Sequence, residues 1–361
     1  MQRKPNIAAV AQRAGVAVST VSRYLNGHYV SAHAKARIGD VIAELGYKRS
    51  PTARNLSLGR RGSIGVVVDL IDDPWFTQLL VGIEEELSPR DVSLMLASTE
   101  LPGKYDPAIV VEWLREHRVD GIIIAKSQRR DRALITEAVG QRLPTVLVAP
   151  DEAFSKVHTV RCDNRAAGIA VADHLVELGH EHIAFAGGPL HSIDSKHRLL
   201  GLQEGLRAHG LTLPSQAVFS CGSYEATAGA RFGRMFFEQA RRITAVVLAN
   251  DALASGFMRV AHERGVRMPG ELSVVGFDGL PEGERLWPAL TSAAQPMRQM
   301  GRAACRRLFE AIETPDHVQI TEFPMTLLVR ESTGPARRQA PSLTATRPSP
   351  KRAARAAASR A

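Results

Sequence analysis

From Ile64 onward, short and almost wholly apolar runs alternate with segments of helical periodicity, and that alternation leaves few folds open. Ile64-Gly65-Val66-Val67-Val68 is the first run, and others lie at 92–97, 121–125, 145–149, 182–186, 245–248 and 272–277. Helical patterns at 76–87, 166–178, 198–209, 226–239 and 251–264 fall between them. A strand reads as a continuous apolar run when both of its faces are buried, as in a parallel sheet covered by helices on both sides. The spacing therefore predicts doubly wound parallel α/β sheets. About 270 residues is long for one such sheet, which points to two similar lobes. Ligands in such folds bind beyond the carboxyl ends of the strands, and between the lobes when there are two.

The first sixty residues have a different texture. Ile7, Val10, Ala11 and Ala14 are spaced as the buried face of a short helix, with Asn6 placed to cap it. Gly15 permits a tight turn, because glycine takes positive φ without a Cβ penalty. A second helix, about 18–25, buries Val21, Tyr24 and Leu25 and turns Val18, Ser19, Ser22 and Arg23 outward. Ser31 can cap a third helix carrying Ile38, Val41, Ile42 and Leu45, ended by Gly46. Two short helices about a glycine turn, the second with a polar and basic face, form a helix-turn-helix. A plain structural hairpin is the alternative at this point.

Charge separates the two readings. Residues 1–61 hold 11 Lys/Arg against 2 Asp/Glu, whereas residues 62–334 hold 28 against 35. A basic head on an acidic body localises polyanion binding to the N-terminus. The segment 47–61 is basic, and Pro51 after Ser50 suits the first turn of a short helix. Leu56 and Leu58 lack company for a core of their own. They either tuck against a neighbouring domain or, near DNA, wedge between base steps from the minor groove. Residues 334–361 contain Pro, Ala, Ser and Arg with 7 basic residues and no acid, and are expected to form a disordered tail.

Function classes fall away in turn. Cys162, Cys221 and Cys305 lack the spacing of metal ligands or a redox pair, and read as reduced core thiols. No apolar run is long enough to span a membrane and the N-terminus carries no signal-type stretch, so a cytoplasmic protein without membrane contact is expected. Walker-type, GxSxG, HExxH and strand-following GxGxxG motifs do not occur, so no catalytic residue, metal ligand or cofactor is assigned. A solute-binding protein would share the two-lobed core but would have no use for a basic head.

These residues resemble the LacI/GalR family of bacterial transcription repressors, from about Asn6 to Thr333. The resemblance is carried by Ala14-Gly15-Val16, Thr20-Val21-Ser22-Arg23, Asn26-Gly27, Glu44-Leu45-Gly46-Tyr47 and Ala53-Arg54-Asn55-Leu56. It continues through Val119-Asp120-Gly121, Leu178-Gly179-His180, Ala249-Asn250-Asp251, Val274-Val275-Gly276-Phe277-Asp278 and Val329-Arg330-Glu331-Ser332-Thr333. It implies a helix-turn-helix head (1–46), a hinge helix and linker (47–61), and a periplasmic-binding-protein-like core (62–333) that dimerises and binds an effector. The first lobe would take about 62–160 plus 291–321, the second about 161–290 plus 322–333.

The resemblance also implies roles. Val18, Ser19 and Arg23 would read bases: arginine can pair bidentately with guanine and valine can touch a thymine methyl. Thr20, Ser22, Asn26 and Ser31 would hold phosphates. Ala53, Arg54 and Leu56 would enter the minor groove. Trp75, Phe76, Arg198, Asn250 and Asp278 would line the effector site, although Asn250 and Asp278 could instead cap the elements that follow them. The implied partners are double-stranded operator DNA, a second copy of the chain and a sugar-like effector, with a nucleoside or purine as the alternative. Three departures stand out: Ala17 replaces a capping serine, Arg49-Ser50 replaces Pro-Asn, and Ala149 replaces an aspartate that faces the ligand.

Overall fold

The computed structural model describes residues 5–47, 60–101, 104–152, 154, 156–239, 242–314 and 317–337. The expected hinge segment, with Ala53, Arg54 and Leu56, lies outside the described residues, as do residues 338–361 of the expected tail. The chain divides into two compact units, Met1–Gly62 and Ser63–Ala361.

The first unit contains three helices, α1 (Ile7–Ala14), α2 (Val18–Leu25) and α3 (Ala32–Leu45). The Asn6 carboxamide oxygen accepts from the Ala9 amide at 2.9 Å, and Gly15 closes α1 at φ +63°. Val10, Ala11, Ala14, Val21, Ile38 and Val41 make the core, so each helix contributes one stripe. Ala17 leaves the start of α2 without a side-chain cap, an omission that costs about 0.5–2 kcal/mol. Arg13 and Glu44 tie α1 to α3 by an exposed ion pair at 2.6 Å, a contact of small energetic weight.

The second unit holds two six-stranded sheets. The first contains β1 (Ser63–Val68), β2 (Ser93–Ser98), β3 (Ile122–Ala125), β4 (Thr145–Val148) and β5 (His158–Cys162). The second contains β6 (Ile183–Gly187), β7 (Val218–Ser220), β8 (Ala245–Leu248), β9 (Ser273–Asp278) and β10 (Thr291–Ala294). Near the C-terminus β11 (Ile320–Phe323) joins the first sheet and β12 (Thr326–Leu328) the second. Their orders are β11-β5-β4-β3-β1-β2 and β12-β10-β9-β8-β6-β7. Within these two sheets, among the described residues, every pairing is parallel except β10 with β12, and Glu100–Leu101 forms a separate antiparallel pair with Lys104–Tyr105. β1 registers Val66 against Ile123 of β3, and β8 registers Val246 against Val274 of β9.

Helices follow the strands as the periodicity requires: α4 (Pro74–Leu87), α5 (Ala108–Arg115), α6 (Arg132–Gly140), α7 (Asn164–Glu177), α8 (Ile193–Ala208), α9 (Ala226–Glu238), α10 (Asp251–Glu263) and α11 (Met297–Glu313). Packing is close where glycines meet backbone: a Cβ on Gly256 of α10 would run into the Ala226 carbonyl oxygen of α9. All three cysteines are free and buried. Among the described residues, no helix is long and apolar enough to cross a membrane.

The lobe boundaries differ from expectation in three places, the first being residues 161 and 162, which stay in the first sheet as the end of β5. Thr291–Ala294 belongs to the second sheet, not the first, and the chain crosses to the first lobe only after Ala294. Residues 322 and 323 stay in the first sheet as part of β11. These crossings escape the sequence because Thr291-Ser292-Ala293-Ala294 is short and small-sided, with no apolar run to mark a strand. The expected tail is also shorter than 334–361. The Gly334 amide donates to Ser273 Oγ at 3.1 Å, and the Ala336 amide donates to the Leu178 carbonyl at 2.8 Å.

That C-terminal anchor converges on His180, which is buried at the turn between α7 and β6. Its Nδ1 lies 2.9 Å from Thr244 Oγ1, and its Nε2 lies 3.0 Å from both Ser273 Oγ and the Gly334 carbonyl oxygen. Burial lowers its pKa from the ordinary histidine value, despite the opposing pull of the Gly334 carbonyl. A depressed pKa means that the unfolded chain binds the proton first, so stability present above pH 6.5 is lost as the pH falls through the folded value. Burial also lowers His158 and His174, and both add to the same trend. Thermal melts of the second unit from pH 7.5 to 5.0 are expected to show a falling melting temperature. His180→Gln should start lower at pH 7.5 and fall less steeply, whereas an unchanged slope would remove His180 from this role.

Candidate functional site

In the first unit the outward face of α2 carries the residues expected to read bases. Val18 is 46% exposed, and Ser19 and Arg23 are exposed beside it. Residues 18, 19, 22 and 23 form one stripe because positions four apart share a helix face, while Val21 opposite them is fully buried. Thr20 and Asn26 flank this stripe, half-buried as Ser22 is, and Asn26 Nδ2 donates to Ser22 Oγ at 3.5 Å. Ser31 is exposed, and its hydroxyl accepts from the Ala34 amide at 3.3 Å, so it caps α3. The stripe presents a methyl-bearing side chain, hydroxyls and a guanidinium to solvent, the set needed to touch base edges.

In the second unit the carboxyl ends of both sheets face one cleft that opens to solvent. Strand ends of the first lobe contribute Asp69, Lys126, Gln128, Ala149 and Asp151; those of the second contribute Ser192, Asp194, Arg198, Tyr224, Asn250 and Asp278. Gln295 enters from the crossover after β10.

Arg198 is the centre of the second lobe's wall. It is fully buried, and its Nε donates to Asn164 Oδ1 at 2.7 Å while Nη2 reaches Asp278 Oδ1 at 3.4 Å. Nη1 donates to the Ala249 carbonyl, and the guanidinium lies 4.8 Å from the centre of the Phe277 ring. Burial works against this charge, but Asp278 and Asp194 outweigh it and hold the guanidinium above its ordinary pKa. Asp278 also accepts from Gln295 Nε2 at 2.7 Å. Burial pushes its carboxyl upward against the pull of Arg198 and Lys126. Its backbone sits at φ +107°, which only a strongly constrained non-glycine residue adopts. Beneath it, burial and the Asp278 charge push Asp251 up to about 7. Asp251 accepts from Ser292 Oγ at 2.6 Å and from the Leu280 amide at 2.7 Å.

Asn250 caps a helix and stands at the cleft. Its Oδ1 accepts from the Leu253 amide at 2.9 Å as the cap of α10, and it also lines the cleft, where Nδ2 donates to the Tyr224 carbonyl at 3.1 Å. Trp75 and Phe76 are placed differently from expectation. Both are fully buried under the cleft, edge to face at 5.2 Å, and neither is among the lining residues. Their face carries Lys126 instead, with Nζ 4.5 Å from the Trp75 ring centre and 3.3 Å from Asp73 Oδ2. The large apolar rings gain more from the core of the first lobe than from the wet cleft, and present a cation in their place.

Sequence reasoning missed Asp69, Lys126, Gln128, Asp194, Tyr224 and Gln295. The signal that could have found most of them is position, since each stands within a few residues of a strand's carboxyl end or a helix's first turn. Asp151 stands two residues beyond Ala149. It lines the cleft itself, and its Oδ1 accepts from the Ile193 amide at 3.1 Å.

With that geometry in hand, the likeness to known proteins is specific. The pattern of bacterial regulatory proteins of the lacI family matches residues 6–50, and that of a periplasmic binding protein-like domain matches residues 172–333. The HTH-type transcriptional regulator AscG of Escherichia coli strain K12 is 30% identical over 331 residues, 90% of this chain and 96% of that one. The solved complex of the transcriptional regulator CelR with cellobiose is 29% identical, with a TM-score of 0.70 over 91% of this chain and 99% of that one. The lac repressor dimer bound to operator and an anti-inducer is 26% identical, with a TM-score of 0.75 over 92% and 100% of the two chains. A basic helix-turn-helix, two facing α/β sheets and a relative this similar over nearly its full length lead to one conclusion: the chain belongs to the LacI family of bacterial regulatory proteins.

Proposed function

We propose that this chain is a transcription regulator, a repressor, that reads a near-palindromic operator as a dimer and responds to a sugar-like effector held between its lobes. The observation that carries the DNA-reading part is the exposed stripe Val18, Ser19 and Arg23 on a helix whose opposite face is packed. Relatives crystallised as a dimer on operator and with a disaccharide support the partners. The cleft suits binding without catalysis: its buried charges hold one another, and its carboxylates, amides and hydroxyls are of the kind that pair sugar hydroxyls. Regulation then follows from linkage, in which the effector favours one lobe arrangement and only one arrangement is compatible with tight DNA binding.

Band-shift titration on the promoter beside the chain's own gene tests the DNA role. Half-maximal binding to a pseudo-palindrome should weaken steeply with salt, as counterion release requires. Arg23→Ala should weaken binding by about 1–3 kcal/mol and relax preference at one base pair of each half-site. Equal binding to scrambled and palindromic DNA would refute the assignment.

The effector role has its own test. A hydrogen bond to a carboxylate stabilises by about 1.5–3 kcal/mol, so Asp69→Asn should weaken binding of a responsive sugar by about tenfold or more. Affinity for DNA in the absence of sugar should stay unchanged. Calorimetry on the full chain reads the first effect and fluorescence anisotropy the second.

A further inference from the structure

One charged run of the sequence has no part in the head or the cleft. Residues 338–361 hold six Lys/Arg and no Asp/Glu. Four of the six, Arg347, Lys351, Arg352 and Arg355, fall within nine residues, interleaved with Pro348 and Pro350. The run has no aromatic residue and Leu343 is its only large aliphatic, too little apolar area for a core of its own. Basic runs of this make-up are interaction segments for nucleic acid. Solubility alone is served better by acidic residues, and the run has none. The family pattern ends at residue 333, so these residues lie beyond it.

The structure fixes where the run starts. The Ala336 amide donates to the Leu178 carbonyl at 2.8 Å, and Arg337 Nη1 lies 3.7 Å from Glu271 Oε1. Leu178 precedes β6 and Glu271 precedes β9, which puts Arg337 at the amino end of the second sheet. Ser63 opens β1 at the amino end of the first sheet. Because the carboxyl ends of both sheets face the cleft, these two amino ends point away from each other. The chain therefore enters this unit at one pole and leaves it at the other. The exit pole does not itself attract a polyanion. Arg267 and Arg337 both pair with Glu271, and Glu177 and Glu181 stand exposed on either side of the turn at Gly179.

We propose that residues 338–361 act as a second, sequence-independent DNA-binding element that grips a duplex other than the one read by the head. Its cations pair with phosphates and release counterions, which needs no base contact. Fully extended, the run covers at most about 80 Å, or about two turns of duplex DNA. Its grip alone belongs to the weak non-specific class, with Kd about 10⁻⁴–10⁻⁶ M, so it does not rival the head at an operator. Once the head is bound, the run holds neighbouring DNA at the far pole, and the protein bridges two duplexes.

Two altered proteins test this: a chain ending at Arg337, which keeps the Gly334 and Ala336 contacts, and the full chain carrying R347Q, K351Q, R352Q and R355Q together. Each is loaded on a bead-bound promoter fragment, and a labelled duplex of scrambled sequence is added at about 50 mM salt. The full chain should retain at least about fivefold more labelled duplex than either altered protein, and that retention should fall with a log–log salt slope of about −5. Promoter affinity should be nearly the same for all three. Equal retention by all three, no retention by the full chain, a preference for single-stranded RNA over the duplex, or a marked loss of promoter affinity with no second duplex held would overturn the proposal. A scrambled duplex on the beads in place of the promoter fragment gives the same comparison, so failure of operator recognition leaves this test standing.

Discussion

The buried contact between Arg198 and Asp278 organises the sensing half of this molecule. A guanidinium and a carboxylate withdrawn from water lose several kcal/mol of hydration each, and their attraction repays this only when the remaining donors and acceptors are satisfied. Here Asn164 and the Ala249 carbonyl take two further guanidinium donors, and Gln295 donates to the carboxylate. The partners come from the start of α7, the end of β8, the end of β9 and the crossover after β10; Arg198 reaches the first three and Asp278 brings in the fourth. Such a pair adds little to net stability compared with an apolar replacement, but it fixes polar groups in place before a ligand arrives, and that lowers the ordering cost of binding.

The opposite wall is built on a different principle. Trp75 and Phe76 give their area to the core of the first lobe and hold Lys126 above their faces, with Asp73 as its counter-charge. Burial opposes the Lys126 charge, yet Asp73, Asp278 and Asp69 outweigh it and keep the ammonium above its ordinary pKa. Asp278 therefore acts electrostatically on cations of both lobes, and a change in lobe separation changes that interaction. This makes the cleft an electrically coupled joint between two sheets.

Much of this was legible in the sequence, for identifiable reasons. Strands buried on both faces announce themselves by composition, so 64–68 and 245–248 were read with their limits intact or nearly so. The head was legible because Asn6, Gly15, Ser31 and Gly46 each perform the local chemistry their residue type suggests. Strands such as Thr291–Ala294 and Ile320–Phe323 were hidden, since their polar or small residues are paid in hydrogen bonds across the sheet instead of apolar area. Arg198, Asn250 and Asp278, which the family resemblance singles out, come together at one wall of the cleft. Lys126 and Gln295 were not, because a lone lysine or glutamine after a strand has no local signature; only the sheet order brings them to the same space.

The two units divide the physical work. One is basic and small, with a packed interior and an exposed polar stripe; the other carries an acidic body over residues 62–334, with several buried ionisable groups gathered around a cleft. The account rests on the basic unit supplying nearly all of the attraction to duplex DNA, and on the acidic unit supplying the response to sugars. Anisotropy of a labelled promoter fragment, measured with the full chain and with a chain lacking residues 1–61, tests this most directly. Removal of those residues should abolish binding while sugar-dependent thermal stabilisation of the remaining fragment persists. Promoter binding by the shortened chain as tight as that of the full chain would contradict the account.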